Sequence, residues 1–151
     1  MNATTPRVPA RTVREVMEPR VVSVVPEMTV RELVETFQEE HIRGAPVLDP
    51  GGKVIGMVSE SDVLRHALAT PDAPRDESAA SARFLLSACD LGRVRVGEIM
   101  GPVGATFAPD DELRALARFF AADGVQRAAV IEHGILLGIV TPADVLRGVT
   151  H

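Results

Sequence analysis

The chain has 151 residues, 46% of them hydrophobic, enough to bury a core and short enough to suggest one compact unit. Its 16 Lys and Arg face 21 Asp and Glu, a net charge of −5 with no basic run, which argues against nucleic acid or anionic membrane as the main partner. The one cysteine, Cys89, excludes an intrachain disulfide and a thiolate metal cluster, and fits a reducing interior.

Residues 1–12 read as a loose arm, polar and with two prolines, without the apolar core of a signal peptide. No apolar run approaches the roughly 18 residues of a membrane helix, so a soluble, cytoplasmic protein is expected. Met17-Glu18-Pro19 opens a segment whose pattern recurs later in the chain. The β-branched run Val21–Val25, bounded by Pro19 and Pro26, predicts a short strand. From Thr29, apolar residues at Val30, Leu33, Val34 and Phe37 have helical spacing, with Thr29 as N-cap and Glu32 three residues on. Ala45–Leu48 and Val54–Val58 predict strands on either side of the turn Asp49-Pro50-Gly51-Gly52, and Ser59 starts a helix to about Leu68. Ala69–Asp76 reads as an exposed loop, and Ser78–Leu91 as an amphipathic helix with Ala82, Leu85, Leu86 and Cys89 on one face, ended by Gly92.

The pattern then returns. Met100-Gly101-Pro102 answers to Met17-Glu18-Pro19, and Gly138-Ile139-Val140-Thr141-Pro142-Ala143-Asp144-Val145-Leu146-Arg147 answers to Gly56–Arg65. The intervening elements repeat as well: a strand near Ala105–Phe107, a helix over Asp111–Ala122, strands Ala128–Ile131 and Leu136–Val140, and a helix over Pro142–Gly148. Each copy is therefore β-α-β-β-α, the first over 13–68 and the second over 95–151, joined by a loop and helix over 69–94. Neither half is comfortable alone. The fold class is α/β (α+β), with the two repeats expected to pack through their sheets about an approximate two-fold axis.

The recurring Gly-hydrophobic-Val-Ser/Thr-x-x-Asp carries the chemistry. A strand running into a helix aims unpaired N–H groups and the positive dipole end outward, which suits a phosphate, and the Ser59 or Thr141 hydroxyl adds a donor. The aspartate one turn in, Asp62 or Asp144, accepts only, and pairs naturally with the vicinal hydroxyls of a ribose. Met57 or Ile139 supplies an apolar face for a base. The plainer reading is a helix capping box, with Pro142 at the first helical position. The two readings are compatible, because a capped helix terminus remains an anion site.

On these residues the chain resembles a tandem pair of CBS (cystathionine β-synthase) domains, a Bateman module. The resemblance covers about Val13–Leu68 and Arg95–Val149 and rests on the Met-x-Pro openings, Pro46-Val47 and the endings Gly56–Asp62 and Gly138–Asp144. It implies a non-catalytic regulatory module that binds AMP, ADP, ATP or S-adenosylmethionine in clefts of the paired repeats. One site would use Met57, Ser59, Ser61 and Asp62 with Ala105 and Val125. The other would use Ile139, Thr141 and Asp144 with Val22 and Ile42. Arg127 is the first candidate for phosphate, with Arg43 and His41 behind it. The copies differ: Ala129 stands opposite Pro46 and Ala143 opposite Ser61, so the two sites are expected to be unequal.

Other constellations are weaker. His41, His66, His133 and His151 have no metal-ligand spacing, Cys89 reads as a structural thiol, Asp110-Asp111-Glu112 as dipole compensation, and Gly51-Gly52 as a hairpin turn. Neither a nucleophile–base pair nor a carboxylate dyad is found, so an enzyme is not expected, and no metal or required cofactor either. The expected partners are an adenosine-type small molecule, a second copy of the chain, and an effector protein supplied in trans. Val63, Leu64, Leu116, Phe119 and Phe120 are candidates for the dimer surface. The alternative is a ligand-independent dimeric scaffold or stress-associated interaction protein in which the motifs only cap helices.

Overall fold

The computed structural model describes residues 10–69 and 91–150. The helix expected over Ser78–Leu91 and the loop expected over Ala69–Asp76 lie, but for Leu91 and Ala69, outside the described residues, as do Cys89, His151 and most of the N-terminal arm.

Helix α1 (Val30–Glu40) begins at a complete capping box: Glu32 N–H donates to Thr29 Oγ1 at 3.2 Å and Thr29 N–H to Glu32 Oε1 at 3.4 Å. Its inward face is Val30, Leu33 and Phe37, the spacing the sequence shows. Strands β1 (Gly44–Leu48) and β2 (Val54–Ser59) form an antiparallel hairpin, and helix α2 (Glu60–Leu68) follows directly from β2. In the turn, Asp49 Oδ1 accepts from the N–H groups of Gly51 and Lys53, both at 2.9 Å, and Gly52 takes the left-handed φ of 84°. A short helix α3 (Val96–Ile99) precedes the second copy. That copy is β3 (Thr106–Phe107), α4 (Leu113–Asp123), β4 (Ala128–Glu132), β5 (Ile135–Val140) and α5 (Pro142–Thr150). Its sheet order is β3-β4-β5, with β3 parallel to β4 and β4 antiparallel to β5. The mixed helix and strand content with two sheets is the α+β class expected.

Contacts divide the chain into two units that do not follow the repeat boundaries: one is Val22–Val103, the other joins the residues up to Val21 to Gly104 and beyond. The core of the first centres on Val24, Val30, Leu33, Val47, Val58 and Val96; that of the second on Val13, Leu116, Val130 and Val140. The reason lies in the Met-x-Pro openings. In the first unit Gly101 pairs with Met57, N–H to C=O both ways at 2.8 and 3.1 Å. In the second, Glu18 pairs with Ile139 at 2.8 and 3.1 Å. The opening of each repeat thus forms an extra edge on the closing strand of the other.

Two expectations are corrected. Val21–Val25 is not a strand: only Val24 bridges to Val47, with its N–H on Pro46 O at 3.0 Å and its C=O taking Leu48 N–H at 2.9 Å. Flanked by prolines, the segment touches the β1 edge at one residue, and Val24 alone of the five is buried. Val63, Leu116 and Phe120 are no surface either, being exposed by only 8%, 0% and 9%. They occupy the core face of α2 and α4, and Phe119 is half-buried, with its ring edge-on to Phe107 at 5.4 Å. Of the five surface candidates, only Leu64 is exposed.

Candidate functional site

The two Ser/Thr-x-x-Asp motifs adopt one geometry. Ser59 ends β2 in extended conformation and is the N-cap of α2; Asp62 Oδ2 accepts its N–H at 2.8 Å and its Oγ–H at 3.1 Å. Asp144 Oδ2 accepts from Thr141 N–H at 2.9 Å and Oγ1–H at 3.0 Å. The aspartate N–H groups return to the hydroxyls at 3.4 Å in both copies. The capping reading is therefore realised in full, and it fixes where the chemistry can happen. With Oδ2 committed to the cap, Oδ1 is the oxygen left to act outward, and in each copy it meets the arginine three residues on. Arg65 Nη1 lies 2.9 Å from Asp62 Oδ1, and Arg147 Nη2 pairs with Asp144 Oδ1.

The environments differ in degree. The Asp144 side chain is 8% exposed and that of Asp62 16%, whereas both arginines stand largely in solvent. Asp144 is the buried charged residue among those described, and its hydrogen bonds and ion pair meet the demand that a buried charge be compensated.

In the first unit, Met57 is half-buried beside the Gly101 edge, Ser59 and Asp62 are half-buried, and Ser61 is exposed on the first turn of α2. Val22 and Ile42 are half-buried in the same unit. His41, Ile42 and Arg43 line an open groove of about 540 Å³ with Val34, Phe37 and Gln38 of α1 and Glu60, Val63 and Leu64 of α2. Met57, Ser59, Ser61 and Asp62 do not line that groove. His41 ends α1 in the left-handed conformation, φ 55°, a role Gly124 takes in the second copy at 64°. That backbone suits glycine more than histidine, so it does not explain the side chain at position 41. In the second unit, Ile139 and Thr141 are half-buried, Ala105 and Val125 are exposed, and Arg127 is half-buried just ahead of β4.

Two features of the site escape a motif reading. Arg65 and Arg147 are visible in the sequence as matching residues after each aspartate, but only the structure shows them on the outward carboxylate oxygen. The motif glycines Gly56 and Gly138 are set by close approach. A Cβ on Gly56 would lie 2.8 Å from Met100 Sδ and 2.9 Å from Gly101 O; on Gly138, 2.8 Å from Glu18 O and 3.0 Å from Met17 Sδ. Only a bare backbone admits the exchanged Met-x-Pro segment. Among the described residues no group of three His, Cys, Asp or Glu could hold a metal ion, and no helix is long and apolar enough to cross a membrane.

The two repeats match a known family. The CBS domain model fits residues 13–69 and again 96–151. The chain belongs to the CBS domain family. Among CBS relatives of known structure, CBSX2 from Arabidopsis thaliana, a CBS-pair protein, is 27% identical with a TM-score of 0.75, over 90% of this chain and 92% of that one. CBSX2 in complex with AMP superposes with a TM-score of 0.70 at 26% identity, over 91% and 95% of the two chains. The CBS domain of a membrane protein from Sphaerobacter thermophilus is 28% identical with a TM-score of 0.68, over 93% and 87%. The uncharacterized protein MJ1225 of Methanocaldococcus jannaschii is 27% identical over 135 residues. The match takes in 89% of this chain but only 41% of that protein.

Proposed function

We propose that this CBS pair is a regulatory, non-catalytic sensor of an adenosine-containing ligand. The observation that carries the reading is the duplicated geometry: in each repeat a carboxylate is held rigidly at a helix N-terminus with one oxygen facing outward beside a hydroxyl. A ribose diol would donate to Asp62 or Asp144, and the helix N-terminus with Ser59 or Thr141 would favour a phosphate. The AMP complex of CBSX2 supports the ligand class. Met57 and Ser61 are assigned to the Asp62 site, and Ile139 to the Asp144 site. Arg127, Arg43 and His41 are assigned to phosphate. AMP, ADP, ATP and S-adenosylmethionine are the ligands to compare. The module acts as a homodimer in the cytoplasm and signals to an effector in trans, by no more than the ligand's differential affinity for its two states.

Thermal unfolding with each ligand tests this, followed by circular dichroism because the chain has no Trp or Tyr. A ligand at about 100 times its dissociation constant adds about 2.7 kcal/mol, a rise on the order of 5–10 °C for a chain of this size. Asp62→Ala and Asp144→Ala should each remove one site by calorimetric stoichiometry. Unchanged stoichiometry in both would overturn the assignment. A second reading, a ligand-independent scaffold, draws on the completeness of both capping boxes, which account for Ser59, Asp62, Thr141 and Asp144 without a ligand. It requires that none of the adenosine compounds shifts the melt.

A further inference from the structure

Each aspartate carboxylate has about four lone-pair positions. Oδ2 spends two on the Ser59 or Thr141 N–H and hydroxyl, and Oδ1 gives one to the arginine of the next turn. One position stays open, whereas a vicinal diol gripping the carboxylate with both hydroxyls needs two. The second becomes available only when the guanidinium leaves. Leaving is easy mechanically, because the Arg65 and Arg147 side chains are 74% and 67% exposed. It strands a carboxylate that is 84–92% covered only if nothing replaces the cation, since the two aspartates are 16% and 8% exposed. A long arginine on the second turn of a helix points back toward the N-terminus, where a ligand phosphate would gather.

We propose that Arg65 and Arg147 determine the charge preference of the two sites, by holding the outward aspartate oxygen until a ligand brings an anion to take the guanidinium over. The inference rests on the adenosine reading above. A nucleotide completes an exchange in which its diol takes Asp Oδ1 and its phosphate takes the arginine. A neutral nucleoside fills the diol half and offers the displaced guanidinium no anion in exchange. Arginine suits the exchange because its planar fork bonds carboxylate and phosphate equally well. The more deeply covered Asp144 makes the second site the more selective.

The experiment is calorimetric titration of adenosine and AMP into the full chain and into Arg65→Gln, Arg147→Gln and the corresponding Lys variants, at one fixed ionic strength. The wild type should favour AMP. Each Gln variant should bind AMP about tenfold more weakly at its site and adenosine equally or up to about fivefold more tightly, while Lys restores much of the preference. Circular dichroism melts confirm that the exposed substitutions leave the fold intact. Equal changes for both ligands would make the arginines helix-ordering residues and overturn the proposal, as would no change for either. Failure of the wild type to bind any adenosine compound is a different result, which brings down the adenosine reading and this inference with it.

Discussion

Gly56 and Gly138 are where the sequence motif and the exchanged edge meet. A methyl group at either position would sit within 3.0 Å of a backbone carbonyl, Gly101 O in one case and Glu18 O in the other. A methionine side chain can swing aside, but those carbonyls are held by paired hydrogen bonds at 2.8 and 3.1 Å. Gly56→Ala and Gly138→Ala are therefore expected to cost about 1–3 kcal/mol each, the range of an overpacked contact. That lowers the melting temperature by roughly 3–10 °C. Gly52→Ala supplies the contrast: nothing lies within 4 Å of its added Cβ, so its loss comes from the left-handed φ of 84° alone. A melt of Gly138→Ala indistinguishable from wild type would show that the edge segment yields freely. Close approach would then no longer account for glycine in the motif.

At the scale of elements, one face of each long helix closes the core against the strands, and the sequence shows which. Leu116 of α4 is 0% exposed and packs with Phe120, Val130 and Val140, so Leu116→Ala should cost about 2–5 kcal/mol. Arg118→Ala, on the exposed face of the same helix, should stay within about 0.5 kcal/mol. Denaturant titration of the two variants checks both, and comparable losses would mean the faces have been misassigned. The periodicity of α1 and the capping boxes at Thr29, Ser59 and Thr141 were legible because their partners lie three or four residues away. The hairpins were legible because the turn Asp49–Gly52 and the flanking β-branched runs are also local. What could not be read is pairing across long stretches of chain. Val21–Val25 has the composition of a strand but meets the sheet only at Val24. Nothing near Met17 or Met100 in sequence announces that each edges the other repeat's closing strand. Spacing places Leu116 and Phe120 on one apolar face of α4, yet not what covers it, so a core face passed for a dimer surface. In the candidate site the Ser/Thr–Asp unit was legible for the same local reason. The arginine's role was not, because sequence does not disclose which carboxylate oxygen the cap leaves over.

For the whole molecule, the outward faces of α2 and α5 make the case for assembly. Leu64 and Leu68 are 56% and 62% exposed, and Leu146 and Val149 66% and 62%. Single exposed aliphatic residues are ordinary. These recur on the same helix of both repeats, Leu64 and Leu146 at equivalent places in the motif, so each unit carries a similar apolar stripe. A second copy of the chain presents the same pair of stripes, which is what a self-complementary two-fold interface requires. Leu64→Glu with Leu146→Glu places a charge in each stripe without touching a buried residue, and desolvating those carboxylates would cost more than the lost apolar contact. Sedimentation velocity should therefore show a dimer for the wild type and a monomer for the double variant, with unchanged circular dichroism. Each aspartate site should keep its ligand in that monomer, because the Ser/Thr–Asp units lie within single chains. A double variant that stays dimeric would move the interface off these helices. One that becomes monomeric and also loses both sites would show that assembly completes them.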